Sequence, residues 1–339
     1  MTSNSSRRRF LQSAGIVGIA GLAGCIEGTD SEGDGDSGGG DGDGGDSDGG
    51  NGGGSTDLAW HAGGTGGTYY PLSNEFKTIV DANTNYSLTV QSTGASVENV
   101  GSLASGDADF ALIQNDIAYF AKNGTGLDTF EGEAIDSLRG VATLYPETIT
   151  IVTQADSGIE TLEDLEGARI NTGDLGSGTQ VNALQILSAV GIEEGDFEEE
   201  NSDFESASDQ IRNGDVDAAF VVGGWPVGAI EELAQTSDIN IVEVSGDTRE
   251  GVKEQAQWFA DDTIPAGTYE GIDEDVETVS VQAMIATHEG VDEEVVENVT
   301  AAIFDNVDEL SIKTDFISKD TAQDGMSIEL HAGADAYFG

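Results

Sequence analysis

The 339-residue sequence has a single cysteine, Cys25. An internal disulfide framework and a cysteine-based zinc site are therefore excluded. Histidine is almost as scarce: His61, His288 and His331 are the only imidazoles from which metal or acid–base chemistry could start. Cations are few as well, with 12 Lys and Arg against 65 Asp and Glu, a formal charge of −53. Arg7, Arg8 and Arg9 precede Cys25 and every acid follows it, so 9 bases face 65 acids in the remainder. A body that negative repels phosphate backbones and anionic lipid heads, which argues against nucleic acid as a partner.

Hydrophobic residues make up 37% of the chain, enough for a core once the low-complexity stretch is set aside. At roughly 150 residues per domain the length allows one large or two medium domains. An acidic chain that keeps periodic apolar segments is expected of a protein adapted to strong brine, where the Debye length falls to ~3 Å and carboxylate repulsion is screened. A generic acidic protein with a disordered acidic tail is the alternative, and it describes only the low-complexity region.

Residues 1–25 read as an export signal. Ser6-Arg7-Arg8-Arg9-Phe10-Leu11 matches the twin-arginine pattern. The apolar run that follows, Ala14 to Gly24, is shorter than the ~20 residues a membrane span needs. Leu22-Ala23-Gly24-Cys25 resembles a lipobox, which makes Cys25 the expected lipidation site. Residues 26–57 form a tether; within it, 33–54 consist of 13 Gly, 6 Asp, 2 Ser and 1 Asn. Such a segment has nothing to bury and repels itself. Its aspartates do not follow the EF-hand order.

From Leu58 onward short apolar strands alternate with amphipathic helices, which predicts an α/β fold. Strands are expected at 58–62, 86–91, 109–113, 140–145, 148–153, 168–172, 218–222, 239–244 and 278–286, with a break at Pro146-Glu147. Helices are expected from about Pro71 to Ala82, through Val97–Leu103, after an Asn115 or Asp116 cap, up to Val190, over Phe204–Arg212, around Ile230 and over Glu293–Leu310. Two successive α/β sets suggest two lobes, with ligands bound outside the carboxyl ends of the strands.

Three strand–loop–helix junctions share one composition: Gly64–Thr68, Thr93–Ser96 and Gly176–Thr179. Glycines let backbone N–H groups approach a ligand, and helix starts add partial positive charge. Together they could hold a carboxylate without a cationic side chain. None is a phosphate loop, because no GK[ST] follows the glycines. Each alone could equally be an ordinary capped turn. Ser177 lacks the G-x-S-x-G setting of a hydrolase nucleophile, and no histidine is placed to serve it. Acids are too common for any pair to stand out. Tyr69, Tyr70, Tyr145 and Trp225 are candidates for the cleft or for the core, and His61 for the cleft rim or a strand end. Arg139 or Arg169 could supply a charge-assisted contact or a structural salt bridge. Asn85, Asn123 and Asn298 head formal glycosylation sequons.

Several segments in order resemble the TAXI family, the solute-binding subunits of tripartite ATP-independent periplasmic (TRAP) transporters. They are Gly63-Gly64-Thr65-Gly66-Gly67-Thr68-Tyr69-Tyr70-Pro71, Thr93-Gly94-Ala95-Ser96-Val97-Glu98-Asn99, Asp107–Ala111, Leu144-Tyr145-Pro146-Glu147, Gly176–Ala183, Asp217–Phe220 and Thr263–Tyr269. The resemblance runs over nearly all of 58–339. It departs at Glu329-Leu330-His331-Ala332-Gly333-Ala334, where the family carries a proline-bearing segment.

The resemblance implies a two-lobed, periplasmic-binding-protein-like α/β fold of type II topology with its cleft between the lobes. Lobe I would comprise 58–145 and 291–339, and lobe II 146–290, with the second crossover somewhere in 245–290. It implies a binding protein, not an enzyme, with no cofactor or metal, that captures a small carboxylate or a glutamate-like amino acid. Its partners would be that anionic or zwitterionic ligand, ion-gradient-driven membrane subunits and, through Cys25, the outer face of the cell membrane. Carried over, the ligand-binding residues are Thr65, Gly67, Thr68 and Tyr69; Thr93, Gly94, Ala95 and Ser96; Gln114 and Asn115; Tyr145; Gly176, Ser177, Gly178 and Thr179; and Gly224, Trp225 and Pro226. A sensing partner of a membrane receptor has the same fold and is the near alternative; a secreted α/β enzyme is the distant one.

Overall fold

A computed structural model describes residues 56–339. The twin-arginine segment, Cys25 and nearly all of the tether lie outside the described residues. Thr56 and Asp57, expected to end the tether, instead begin the first strand.

In chain order the elements are β1 (Thr56–His61), α1 (Tyr69–Asn83), β2 (Tyr86–Gln91), α2 (Ser96–Ser105), β3 (Phe110–Gln114), α3 (Asn115–Asn123) and β4 (Leu138–Gln154). Then come β5 (Arg169–Asn171), α4 (Gly178–Ala189), β6 (Glu198–Glu200), α5 (Phe204–Asn213), β7 (Ala218–Gly223), α6 (Gly228–Thr236) and β8 (Ile239–Val242). The chain closes with α7 (Gly246–Gln255), β9 (Ala260–Ile264), β10 (Val276–His288), α8 (Glu293–Asp305) and α9 (Ala332–Phe338).

One sheet runs β2-β1-β3-β10-β4-β7-β5-β6, with β8 on β4 and β9 on β10. Strands β1, β2 and β3 are parallel, as are β5, β6 and β7, because each consecutive pair is joined by a crossover. The two long strands β4 and β10 run antiparallel and serve both halves. The earlier part of β10 pairs with β9 and its later part with β3. The earlier part of β4 pairs with β10, and its later part also carries β7 and β8.

Side-chain alternation places a core on each face of each half. Leu58, Trp60, Phe110 and Leu112 join one cluster, and the intervening Ala111 and Ile113 join another. Ile149, Ile151, Phe220 and Val222 build a third, with Val152, Ala219 and Val221 in a fourth on the opposite face. Trp60 is fully buried, stacked on Phe110 at 5.6 Å, and its indole N–H donates to Ser73 Oγ at 2.9 Å. A buried indole needs such a partner.

Some expectations need correction. Pro146-Glu147 does not separate two strands; β4 continues through it. Pro146 faces Gln282 where the β4–β10 register shifts, so its missing N–H falls at an irregularity, the place a sheet tolerates proline. The last long helix stops at Asp305, and a short 3₁₀ turn covers Val307–Glu309. Asn115 and Asp116 are not caps: α3 begins at Asn115, and Gln114 before it makes no side-chain cap bond. The atypical C-terminal stretch docks on β4, with Gly140 N–H donating to Glu329 O and His331 N–H to Gly140 O, both at 2.8 Å. His331 Nδ1 then accepts from Gly333 N–H at 3.2 Å and starts α9. Gly333 is required there, since a Cβ would fall 2.2 Å from Glu293 O of α8.

Candidate functional site

The three Gly/Ser/Thr loops meet. A cavity of about 50 Å³ is lined by Gly63, Gly64, Gly66, Gly67, Thr68 and Tyr69 from the first loop and by Gly94, Ala95 and Ser96 from the second. Ser177, Gly178 and Thr179 come from the third, across the gap. Gln114, at the end of β3, and Glu147, in mid-β4, form its floor, with Val222 of β7 beside them. Asp174, Asp203 and Phe204 complete the wall.

Local chemistry explains how each loop is held. Asn99 of α2 is fully buried and donates to Ala62 O at 2.6 Å and Leu112 O at 2.8 Å, which ties the ends of β1 and β3 to α2. Its Oδ1 lies 2.7 Å from Thr93 Oγ1. Ala95 before α2 has φ +67°, a region L-residues avoid at a cost of order 1–3 kcal/mol. Ser96 Oγ accepts from Gln114 N–H at 3.0 Å, and Ser177 Oγ caps α4 by accepting from Gln180 N–H at 3.1 Å. The N–H groups of Ser96, Gly178 and Thr179, at the starts of α2 and α4, have no partner among the described residues. Four orphan N–H groups are the normal state of a helix start, and here two such starts meet at one cavity.

The remaining predicted residues sit around this center in different ways. Thr65 and Thr93 line the outer groove, about 510 Å³, beyond the cavity. Gly176 borders a separate groove against Trp258. Tyr145 lies buried beneath the floor with its hydroxyl 3.4 Å from Glu147 Oε1. Gly224 O accepts from Thr68 Oγ1 at 3.1 Å, and Trp225 O accepts from Lys313 Nζ; neither residue lines the cavity, and Pro226 is exposed. Asn115 is a correction: its amide donates to Gly325 O and its Oδ1 accepts from Ser327 N–H, so it pins the C-terminal region. Arg139 pairs with Glu289 at 2.8 Å and Arg169 grips Asp217 bidentately, so neither supplies charge to the cavity. His61 is buried outside the cavity lining.

Two contacts from the first loop and one from α3 hold the halves in a closed arrangement. Thr65 Oγ1 donates to Glu205 at 2.9 Å, Ala229 N–H to Gly66 O at 3.2 Å and Asn182 Nδ2 to Asp116 at 2.9 Å. Gly178 touches Gln114 so closely that a Cβ would lie 1.9 Å from Gln114 Oε1.

Sequence reasoning missed the ionisable groups. Glu147 is 3% exposed, and its Oε2 accepts from the Tyr69 hydroxyl at 2.8 Å. Burial pushes its carboxyl up to about 8, against the opposing pull of its tyrosine and Gln114 contacts. Tyr69 and Tyr145 are in turn raised by burial and by that carboxyl. Lys313 Nζ lies 5.7 Å from the Tyr145 ring and 5.9 Å from that of Trp225, and burial lowers it to about 8. Asp116 is raised to about 6, again by burial. At the mouth, Asp174 is raised by partial burial and by Asp203 and Glu98 nearby. The signal for Glu147 was available: it is the one acid in the otherwise apolar and threonine-rich run of β4.

A closed pocket between two α/β halves joined by two long strands is the architecture of a periplasmic-binding-protein-like fold of type II. The chain belongs to the NMT1-like family, whose profile matches residues 61–339. Among solved structures, a Bordetella bronchiseptica RB50 protein is 14% identical, with 84% of this chain and 79% of that one covered and a TM-score of 0.51. The alkanesulfonate-binding protein of Xanthomonas axonopodis pv. citri, bound to MOPS, is 13% identical over 84% and 83% at 0.46. The substrate-binding protein of an amino acid ABC transporter is 12% identical over 76% and 96% at 0.44.

Proposed function

We propose that this chain is a solute-binding protein, the extracytoplasmic subunit of a TRAP transporter of the TAXI kind, which captures a small carboxylate or amino acid. The observation that carries this reading is the convergence of three Gly/Ser/Thr loops, drawn from both halves, on one small cavity. The α2 and α4 starts offer the carboxylate unpaired amides where no Lys or Arg lines the wall. Strands β4 and β10, shared by both halves, act as the hinge, with the crossing near Pro146 and near Gln282. On this reading lobe II runs from Pro146 to about Gln282, inside the 245–290 interval expected for the second crossover, and lobe I takes the residues before and after it. Closure buries the ligand, and the closed shape is what the membrane subunits recognise. Export by the twin-arginine route and lipidation at Cys25 complete the proposal, together with operation in strong brine.

Calorimetry in molar NaCl tests it, using the twenty amino acids, di- and tricarboxylates, neutral sugars and divalent metals as titrants. An amino acid or carboxylate should bind with an affinity that falls when Thr179 is changed to Ala. Binding of sugars or metals with none of the acids would overturn it.

A further inference from the structure

We infer that the floor of the cavity, Glu147 together with Gln114, is an ammonium-binding subsite, so that the solute is a zwitterionic amino acid and not a simple carboxylate. This rests on the proposed function and narrows its ligand class.

The polarity of the cavity is divided. On one wall stand the unpartnered N–H groups of Ser96, Gly178 and Thr179, all donors. The floor presents acceptors. Gln114 is 2% exposed, lines the cavity, and its Oε1 has no hydrogen-bond partner, which is costly unless a ligand supplies a donor. Glu147 Oε1 has the long 3.4 Å contact with the Tyr145 hydroxyl, and the carboxyl lies beside the Gln114 side chain. Every ionisable side chain lining the cavity other than Tyr69 is acidic: Glu147, Asp174 and Asp203. A second carboxylate placed on that floor would meet an unpaired carbonyl oxygen and Glu147, with two more acids in the wall. An ammonium would satisfy both floor acceptors, while its own carboxylate reached the neighbouring amides of Ser96 and Gly178.

The groups facing Glu147 are Tyr69 of α1, Tyr145 of the same strand, Gln114 of β3, Asp116 of α3 and Lys313 from the segment after α8. Lys313 does not enter the cavity lining; its Nζ donates to Trp225 O. With the free carboxyl titrating at about 8, Glu147 holds a proton at pH 7. An incoming ammonium stabilises the carboxylate, so binding expels that proton to solvent and affinity rises about tenfold per pH unit up to 8. A carboxylate solute would instead bind to the protonated acid, and its affinity would fall above pH 8.

The test is calorimetry of the full chain in molar NaCl with each of the twenty L-amino acids. The tightest binder is then compared with its deamino analogue, in buffers of different ionisation enthalpy from pH 6 to 9. The inference expects close to one proton released at pH 7, affinity levelling off above pH 8, and at least tenfold weaker binding of the deamino analogue. Glu147→Gln should abolish the proton release. Gln114→Met, which keeps Glu147, should weaken the amino acid while leaving its deamino analogue nearly unchanged. The wild-type proton count decides the matter even if a variant fails to fold. Proton uptake, no proton exchange, or a deamino analogue that binds equally well overturns the ammonium subsite and leaves the binding-protein reading standing. If neither amino acids nor carboxylates bind, that reading falls too.

Discussion

Replacing Glu147 by Gln in the ligand-free protein should make stability less dependent on pH, by an amount the burial fixes. Below its ordinary value of 4.5 the carboxyl is protonated whether the chain is folded or not, and it imposes no penalty. Above that, the unfolded chain ionises freely while the folded chain keeps the proton until about 8. Stability is therefore lost steadily as pH rises between those values, by about 1.4 kcal/mol per unit and about 5 kcal/mol in all. Lys313 adds no slope in this window, being charged in both states below about 8. Gln keeps an oxygen for the Tyr69 hydroxyl and has no proton to lose. Urea titrations of wild type and Glu147→Gln in molar NaCl at pH 5, 6, 7 and 8 should show the variant gaining about 1.4 kcal/mol relative to wild type with each step. A difference that stays constant across the series would refute the buried, protonated carboxyl.

Three further outcomes are expected. Ala95→Gly should stabilise the protein by about 1 kcal/mol in urea titration, because φ +67° costs glycine little. Ser177→Ala should cost about 1 kcal/mol of stability through loss of the α4 cap, so its effect on ligand affinity must be read at matched folded fraction. Gly178→Val should displace Gln114, which its Cβ would contact at 1.9 Å; calorimetry at matched folded fraction should then show at least a tenfold loss of affinity.

Much of the scaffold is legible in the sequence because periodicity reports burial. Alternating Leu58 and Trp60, or the apolar run Ala218–Val222, read as strands for the same reason that they are strands. The glycine-rich junctions were also visible, since a helix start that leaves amides free for a guest needs small residues before it. Long-range consequences were not. Gly178 looks like any turn glycine until Gln114, 64 positions earlier, is seen against it. Glu147 is one of 65 acids, and only its setting inside a continuous β4 separates it from the solvated majority. The break expected at Pro146 hid that setting, because a proline without its N–H is tolerated only where the partner strand shifts register, and the partner, β10, lies more than 130 residues away. Lys313 carries no local pattern; its place between Tyr145 and Trp225 is set by tertiary packing alone.

The most direct measurement is a crystal structure grown with the amino acid that binds most tightly. Electron density is expected in the cavity, with the ligand carboxylate within hydrogen-bond distance of the Ser96 and Gly178 N–H groups and its ammonium on Glu147. A ligand seated outside the three loops, or loops that stand apart with no solute between them, would contradict it.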